Sequence, residues 1–184
     1  MSTFDKTDIA IFDLDGTLVD TDAANSAAYC TALREAGIGS GMFDMRLRIT
    51  GKDICNAAKL VNVCDIAAIK RRKVEAYGRQ LWRTRLGRSA ESLRRVIANR
   101  NTFKKIVLVT DSAERRAMET LRHHGLVWYF DEIFCNGGMG DKYANYFGGY
   151  EADPSRCIVW ENEERQICAA MSAGVGISNI RKAA

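Results

Sequence analysis

Several features that would indicate other classes of protein are scarce or missing here. The 184 residues contain one proline, no CxxC pair among six cysteines, and no internal repeat. No apolar run approaches the roughly 18 residues needed to cross a bilayer, and the polar N-terminus does not resemble a secretory signal. These absences argue against proline-rich linkers, zinc sites, disulfide frameworks and membrane spans. We therefore expect a cytoplasmic protein with reduced cysteines.

A short apolar run followed by two acids stands near the N-terminus. Residues 9–12 are apolar and bounded by polar residues, which is typical of a strand buried on both faces of a parallel sheet. Asp13 and Asp15 follow, and their spacing places both carboxylates on one side if the chain stays extended. Gly16 then permits a tight turn. Because open α/β sheets bind ligands at the carboxyl ends of their strands, the two acids are candidate functional groups. A strand that simply ends in a polar turn is the alternative explanation.

Strand and helix patterns alternate along most of the chain. The predicted strands after the first cover residues 106–109, 129–135, 156–160 and 174–178, and the predicted helices cover 22–36, 90–99, 114–124 and 167–173. This alternation predicts an α/β fold with a Rossmann-like parallel sheet flanked by helices. Residues 45–82 have helical spacing without strand runs, which indicates a compact helical insertion. We therefore expect an α/β core of residues 1–19 and 85–184, and a small helical domain of residues 20–84.

The pentapeptide Asp-Leu-Asp-Gly-Thr at residues 13–17 resembles the opening motif of the haloacid dehalogenase-like (HAD) hydrolases. The similarity continues through later strand ends and is closest to the subgroup of phosphoglycolate phosphatase and β-phosphoglucomutase. In that subgroup a helical cap follows the first strand, so the resemblance implies that residues 20–84 are a cap. It also implies a Mg²⁺-dependent phosphatase that hydrolyses a small phosphorylated metabolite through an aspartyl-phosphate.

The resemblance gives catalytic roles to four residues at separate strand ends. Asp13 would be the nucleophile, and Asp15 would protonate the leaving oxygen and later take a proton from water. Thr110 would hydrogen-bond the phosphoryl oxygens, and Lys142 would neutralise the phosphate and the nucleophile. Thr110 could instead only end a strand, and Lys142 could be an ordinary loop lysine. The spacing from Lys142 to Glu161 is also shorter than the family's usual spacing.

The expected magnesium ligands include a departure from the family's pattern. The metal would be held by Asp13, the main-chain carbonyl of Asp15, and a group from Glu161 or Asn162. The family normally carries aspartate at the position of Asn162, and an amide oxygen can ligate magnesium but adds no negative charge. The sequence therefore predicts weaker magnesium binding than in a typical member, unless Glu161 or Glu163 compensates. An ordinary charged helix start is the alternative explanation for these acids.

The candidate substrate contacts are Gly16, Asp111, Ser112, Arg48 and Lys52. The last two belong to the predicted cap, where a solvated basic pair explains them equally well. Basic residues outnumber acidic ones heavily from residue 52 to 105, which is typical of solvated helix faces and secondarily attracts an anionic substrate. No nucleic-acid motif accompanies this charge, so neither a nucleic acid nor a membrane is an expected partner.

Two further functions stay open from the sequence alone. A phosphomutase of the β-phosphoglucomutase type would transfer the phosphoryl group to a sugar and not to water. A weakly active or non-catalytic HAD-fold binding protein is favoured by Asn162 and opposed by the intact Asp13 and Asp15. The second aspartate also argues against a dehalogenase, because dehalogenases that resemble this pattern lack it.

Overall fold

The computed structural model describes residues 8–39, 56 and 66–183. The chain divides into two compact units, one of Met1–Asp20 with Leu86–Ala184 and one of Thr21–Arg85. None of the helices within the described residues has the length and apolarity that crossing a bilayer requires.

The first unit is built on a five-stranded parallel sheet. Its strands are β1 (Asp8–Phe12), β4 (Phe103–Thr110), β5 (Glu132–Cys135), β6 (Cys157–Glu161) and β7 (Ile180–Lys182), in the spatial order β5-β4-β1-β6-β7. Two short strands, β2 (Val19–Asp20) and β3 (Arg85–Leu86), form a separate two-stranded sheet. In the main sheet, Phe12 is level with Leu108 on one side and Trp160 on the other. The strand that carries the two acids therefore lies at the centre of the sheet.

Six α-helices lie within the described residues. They are α1 (Asp22–Glu35), α2 (Ile66–Gly78), α3 (Ser89–Ala98), α4 (Glu114–His123), α5 (Lys142–Gly149) and α6 (Glu164–Ser172). The last four belong to the unit that contains the sheet, and the first two belong to the other unit.

The apolar run of β1 is explained by burial on both faces of the sheet. Ala10 and Phe12 belong to one core cluster, together with side chains of α3 and α4, whereas Ile9 and Ile11 belong to a second, together with side chains of α5 and α6. Successive residues of a strand point to opposite faces, so a strand covered on both sides must be apolar throughout. The predicted α/β fold with a parallel sheet flanked by helices is confirmed.

The second unit contains a helix pair packed through small side chains. Ala24 and Ala28 of α1 form a buried cluster with Ala76 and Tyr77 of α2. The alanine-rich sequence of α1 is suited to this contact, because alanine has the highest helix propensity and lets two helices approach closely.

Two local predictions from the sequence differ from the structure. The strand predicted at residues 174–178 is wrong, because this segment leads into a 3₁₀ turn (Ile177–Asn179) and the last strand begins at Ile180. Helix α5 was not predicted, although it begins at the candidate catalytic residue Lys142.

Candidate functional site

The carboxyl ends of β1, β4 and β6 meet at one edge of the sheet because the three strands are parallel neighbours. Asp13 directly follows β1, Asp111 follows β4, and Asn162 follows β6. The backbone N–H of Asp13 donates to the carbonyl of Trp160 at 3.0 Å, which ties the end of β1 to β6. The sheet therefore delivers the predicted site residues to the edge where such folds bind ligands.

Lys142 joins two buried carboxylates. Its Nζ lies 2.6 Å from Oδ1 of Asp13 and 2.7 Å from Oε2 of Glu161. The side chains of Lys142 and Glu161 are only 2% and 1% exposed. Asp141 fixes the start of α5, since its carboxylate accepts hydrogen bonds from the backbone N–H groups of Tyr143 and Ala144. The helix start thus places the ammonium between the ends of β1 and β6.

Both carboxylate oxygens of Glu161 accept hydrogen bonds from the protein. Oε2 accepts from Lys142 and from the Tyr143 hydroxyl at 2.9 Å, while Oε1 accepts from the backbone N–H groups of Asn162 and Glu163. A carboxylate with four such donors is a stable internal counter-ion. A metal-ligand role for Glu161 would require it to give up one of these contacts.

The charged groups of this cluster, together with their burial, shift one another's pKa values. Burial raises the pKa of Asp13 to about 7, and the negative charges of Glu161 and Asp15 add to the effect while Lys142 opposes it. Burial alone would lower the pKa of Lys142, but Asp13 and Glu161 outweigh burial and raise that pKa. Burial and the Glu161 charge also raise the pKa of Tyr143, which keeps its hydroxyl a hydrogen-bond donor.

A second set of contacts surrounds Asp15. Arg116 of α4 holds the Asp15 carboxylate at both oxygens, with Nη2 2.5 Å from Oδ1 and Nη1 3.1 Å from Oδ2. The Ser112 hydroxyl donates to Oδ2 of Asp15 at 2.5 Å. The backbone N–H of Ser112 donates to the Thr110 hydroxyl at 3.1 Å. Thr110 therefore lies within the same connected group of residues as Asp15.

The turn after Asp15 lies against Asn162. Gly16 has a φ of +80°, a region that side chains disfavour, and a Cβ added there would lie 2.3 Å from Nδ2 of Asn162. The Thr17 hydroxyl donates to Oδ1 of Asn162 at 3.1 Å. Glycine is thus required here both for the backbone conformation and for the close approach of the Asn162 amide.

Asp111 does not join the charge cluster but holds the loop that precedes Lys142. Its carboxylate accepts from the amide of Asn136 at 2.8 Å and from that of Gln166 at 2.7 Å. Asn136 also donates to the carbonyl of Gly140 and accepts from Asn145 of α5. These bonds connect the ends of β4 and β5 to the helix that carries the lysine.

The structure thus gathers most of the predicted site residues within one unit. Those brought together are Asp13, Asp15, Gly16, Thr110, Asp111, Ser112, Lys142, Glu161 and Asn162. Arg48 and Lys52 lie outside the described residues, and their role stays a prediction.

Four residues of the site were not predicted from the sequence. They are Arg116, Asn136, Tyr143 and Gln166. Arg116 follows Ser112 by four residues, but Ser112 precedes the first turn of α4, so helical spacing does not indicate their contact. The other three act through contacts between distant segments that no local pattern records.

The oxygen atoms at the strand ends are suitable ligands for a magnesium ion, but together they carry little negative charge. Among the described residues, no three His, Cys, Asp or Glu side chains form a group that could hold a metal. Asp13 supplies one carboxylate, and Asn162 supplies an amide oxygen that already accepts a hydrogen bond from Thr17. Magnesium prefers oxygen ligands and keeps several waters, so this donor set is suitable in kind but low in charge.

Known proteins with similar sequences and structures share this architecture. The fructose-1-phosphate phosphatase YqaB of Escherichia coli (strain K12) is 26% identical over 184 residues, covering 93% of this chain and 95% of that protein. A structure described as a predicted phosphoglycolate phosphatase from Haemophilus somnus has a TM-score of 0.76 at 18% identity, covering 94% of this chain and 84% of that chain. CbbY of Rhodobacter sphaeroides, solved with phosphate, has a TM-score of 0.71 at 19% identity, covering 91% and 83%. At these identities the two structures are evidence of a common fold.

The family model for haloacid dehalogenase-like hydrolases matches residues 10–180, which is most of the chain. The match begins in β1 and ends at β7, so it includes every strand end of the candidate site. The chain therefore belongs to the haloacid dehalogenase-like hydrolases, as the motif at residues 13–17 predicted.

Proposed function

We propose that this protein is a phosphatase that hydrolyses phosphoric monoesters of small metabolites, with Asp13 as its nucleophile. The observation that carries the proposal is the buried contact of Asp13 with Lys142, with Asp15 two residues further along the chain. A carboxylate beside a fixed ammonium can accept a phosphoryl group and form a covalent intermediate. The activity of the relative YqaB supports the same reaction type.

The first half of the reaction transfers the phosphoryl group to Asp13. A carboxylate oxygen of Asp13 attacks phosphorus, and the bond from phosphorus to the ester oxygen breaks. Asp15 gives a proton to the departing oxygen, so that an alcohol leaves. The product on the enzyme is an aspartyl-phosphate.

The second half of the reaction hydrolyses that intermediate. Asp15 takes a proton from water, and the water oxygen attacks phosphorus. The bond between phosphorus and the Asp13 oxygen breaks, which releases phosphate and restores the carboxylate. The reaction therefore consumes one water and returns every side chain to its starting state.

Lys142 and Thr110 stabilise the charge on the phosphoryl oxygens. Lys142 is kept cationic by Asp13 and Glu161, and it sits at the nucleophile. The Thr110 hydroxyl accepts a hydrogen bond from Ser112, and its own hydrogen can be donated to a phosphoryl oxygen. Fixed donors of this kind stabilise a transition state without reorganising during the reaction.

Magnesium fits the remaining needs of this site. Asp13, the main-chain carbonyl of Asp15 and Asn162 would hold it, and when bound it would neutralise charge on the phosphoryl oxygens. Glu161 stays bound to Lys142 in this proposal. The single carboxylate among these ligands makes the metal site weak.

The substrate is proposed to be a small phosphate ester such as a sugar phosphate. YqaB acts on fructose 1-phosphate according to its name, which makes this ester the first to test. Residues 20–84 are proposed to act as a cap that selects the substrate, with Arg48 and Lys52 as candidate contacts.

A panel of phosphate esters tests the proposed function. The purified chain is assayed with p-nitrophenyl phosphate, fructose 1-phosphate, phosphoglycolate and nucleotides, with Mg²⁺ or with EDTA. We expect Mg²⁺-dependent release of phosphate that falls by about 1,000-fold or more in Asp13→Asn. The matched control is Asp153→Asn, which changes an exposed carboxylate that caps a 3₁₀ turn, and it should retain full activity.

The same panel of phosphate esters distinguishes a phosphatase from a non-catalytic binding protein and from a mutase. Asn162 is the observation that favours a non-catalytic binding protein, because it removes a charge from the metal site. Binding of phosphate esters without hydrolysis would support that function and overturn ours. Conversion of one sugar phosphate into its isomer without release of phosphate would instead identify a mutase.

A further inference from the structure

Arg116 contacts Asp15 in a manner that the phosphatase mechanism does not by itself require. The guanidinium binds both carboxylate oxygens of Asp15, at 2.5 and 3.1 Å, and its Nη1 also donates to the Ser112 hydroxyl at 2.5 Å. That hydroxyl donates in turn to Asp15. The three side chains close a ring of hydrogen bonds, and each contact restrains the other two.

The Arg116 contact differs from the other arginine pair on the same helix. Arg115 pairs with Glu119 one turn along α4, and its side chain is 66% exposed. Arg116 is 14% exposed and Asp15 is 16% exposed, and the pair joins residues 101 positions apart in the sequence. An exposed pair within one helix contributes little, whereas a sheltered two-point contact between distant segments fixes geometry.

We propose that Arg116 is a positioning residue that fixes the orientation of the Asp15 carboxylate, with Ser112 as its support. The proposal rests on the proposed function, in which Asp15 moves the proton in both halves of the reaction. Arg116 acts through Asp15 and need not touch the substrate.

The orientation of Asp15 matters because it must reach two different oxygens in turn. Proton transfer requires the carboxylate to lie within hydrogen-bond distance of the leaving oxygen and later of the attacking water. Asp15 sits in the turn after β1, which includes the positive φ of Gly16, and the helix end of α4 supplies the rigid contact. A planar guanidinium sets both the position and the plane of a carboxylate, which a lysine ammonium cannot do.

Three single variants separate positioning from a general effect of charge or folding. Arg116→Gln should lower kcat by about 10- to 100-fold and leave KM within about threefold, because a misplaced proton donor slows the reaction without weakening binding. Arg116→Lys should recover only part of this loss. Arg115→Gln removes the same charge at the next position, and it should change neither kcat nor KM. A rise in KM with unchanged kcat in Arg116→Gln would overturn the proposal.

A double-mutant cycle shows whether Arg116 acts through Asp15. Asp15→Asn alone should lose most of the activity, and adding Arg116→Gln to it should slow the reaction by less than about twofold. An equal slowing by Arg116→Gln in both backgrounds would mean that Arg116 acts elsewhere, and the proposal would be wrong.

Crystal structures of the wild-type chain and Arg116→Gln keep this test independent of the proposed function. We expect the Asp15 carboxylate to adopt a single orientation in the wild type. In the variant we expect a different orientation or several alternate conformers. An unchanged Asp15 in the variant overturns the positioning role whatever the activities are. If the wild type hydrolyses no ester, the phosphatase proposal fails alone, and the two structures still decide whether Arg116 orients Asp15.

Discussion

At the level of single residues, Asn162 is the proposed magnesium ligand whose side chain carries no charge. Its Oδ1 accepts a hydrogen bond from Thr17, and its amide lies against Gly16. Aspartate has nearly the same shape and can accept the same bond, so the exchange alters charge far more than packing. Charge count among oxygen ligands is one determinant of cation affinity.

The variant Asn162→Asp should therefore bind Mg²⁺ about tenfold more tightly than the wild type. Isothermal titration with MgCl₂ measures this in the absence of substrate, and the Mg²⁺ dependence of hydrolysis measures it during turnover. Asn101→Asp makes the same chemical change at an exposed 3₁₀ turn and should leave the affinity unchanged. If the wild type and Asn162→Asp bind Mg²⁺ equally tightly, the prediction is wrong.

Asp13 provides a second prediction at this level, because its pKa is raised to about 7 by burial and by the charges of Glu161 and Asp15. In the metal-free protein, we expect its carboxyl group to titrate near neutral pH and not near its usual value of about 3.9. Glu161 raises this pKa, so Glu161→Gln should shift the titration to lower pH. Carboxyl ¹³C NMR across a pH series measures the Asp13 pKa in the wild type and in Glu161→Gln.

The neighbouring variant Glu163→Gln is the control for the Asp13 titration. Glu163 is exposed and contributes only its backbone N–H to Glu161, so its neutralisation should leave the Asp13 pKa unchanged. Because the proposed nucleophile must be ionised, Mg²⁺-dependent phosphatase activity should fall as the pH drops through the pKa that Asp13 has in the Mg²⁺-bound protein. Titration of Asp13 near its usual value would show that burial does not dominate its environment.

At the level of elements, α5 is short, and its first residue is the lysine of the site. Its sequence contains glycines and aromatic residues with modest helix propensity, which is why the pattern did not predict it. The structure shows what compensates: the Asp141 carboxylate caps the first turn, and Tyr143 and Tyr146 are buried in the core. Tertiary packing, which no local pattern contains, decides this element.

The variant Asp141→Ala should destabilise the fold by about 1 kcal/mol through loss of the N-cap. It should also lower kcat, because the first turn of α5 sets the position of the Lys142 ammonium. Urea unfolding measures the free energy, and hydrolysis of p-nitrophenyl phosphate measures the activity. Asp153→Ala removes a similar cap from the turn Pro154–Arg156, and should reduce stability without a selective loss of kcat. Equal kcat in the two variants would contradict the role of the cap in placing Lys142.

At residues 174–178 the sequence predicts a strand that does not form, whereas for α5 it failed to predict a helix that does. Gly174 adopts a φ of +103° at the end of α6, and Val175 then enters the core. The chain therefore buries its apolar residue while turning, and pairing with β6 starts only at Ile180. Apolar character predicts burial here but not extended hydrogen bonding.

At the level of the whole molecule, the sequence predicted the sheet and the strand ends well because both depend on local signals. Buried parallel strands are continuous apolar runs, and because the strands are parallel their carboxyl ends lie at one edge of the sheet. The contacts of Arg116 with Asp15 and of Gln166 with Asp111 could not be predicted, because each joins residues far apart in sequence. The motif at residues 13–17 indicated the family, whereas the arrangement of side chains around it required the structure.

The charge of the whole chain supports a final prediction about association with an anionic substrate. Residues 70–105 contain thirteen basic and two acidic residues, within a chain of net charge +4. Long-range attraction of this kind is screened by salt, so kcat/KM for a dianionic phosphate ester should fall about threefold or more between about 20 and about 200 mM NaCl, while kcat stays constant. The exposed Arg94 and Arg95 of α3 each pair with Glu91, and replacing both with Gln should reduce the salt dependence. Sucrose at equal osmolality is the control, and a kcat/KM that is insensitive to salt would exclude electrostatic attraction as a contribution.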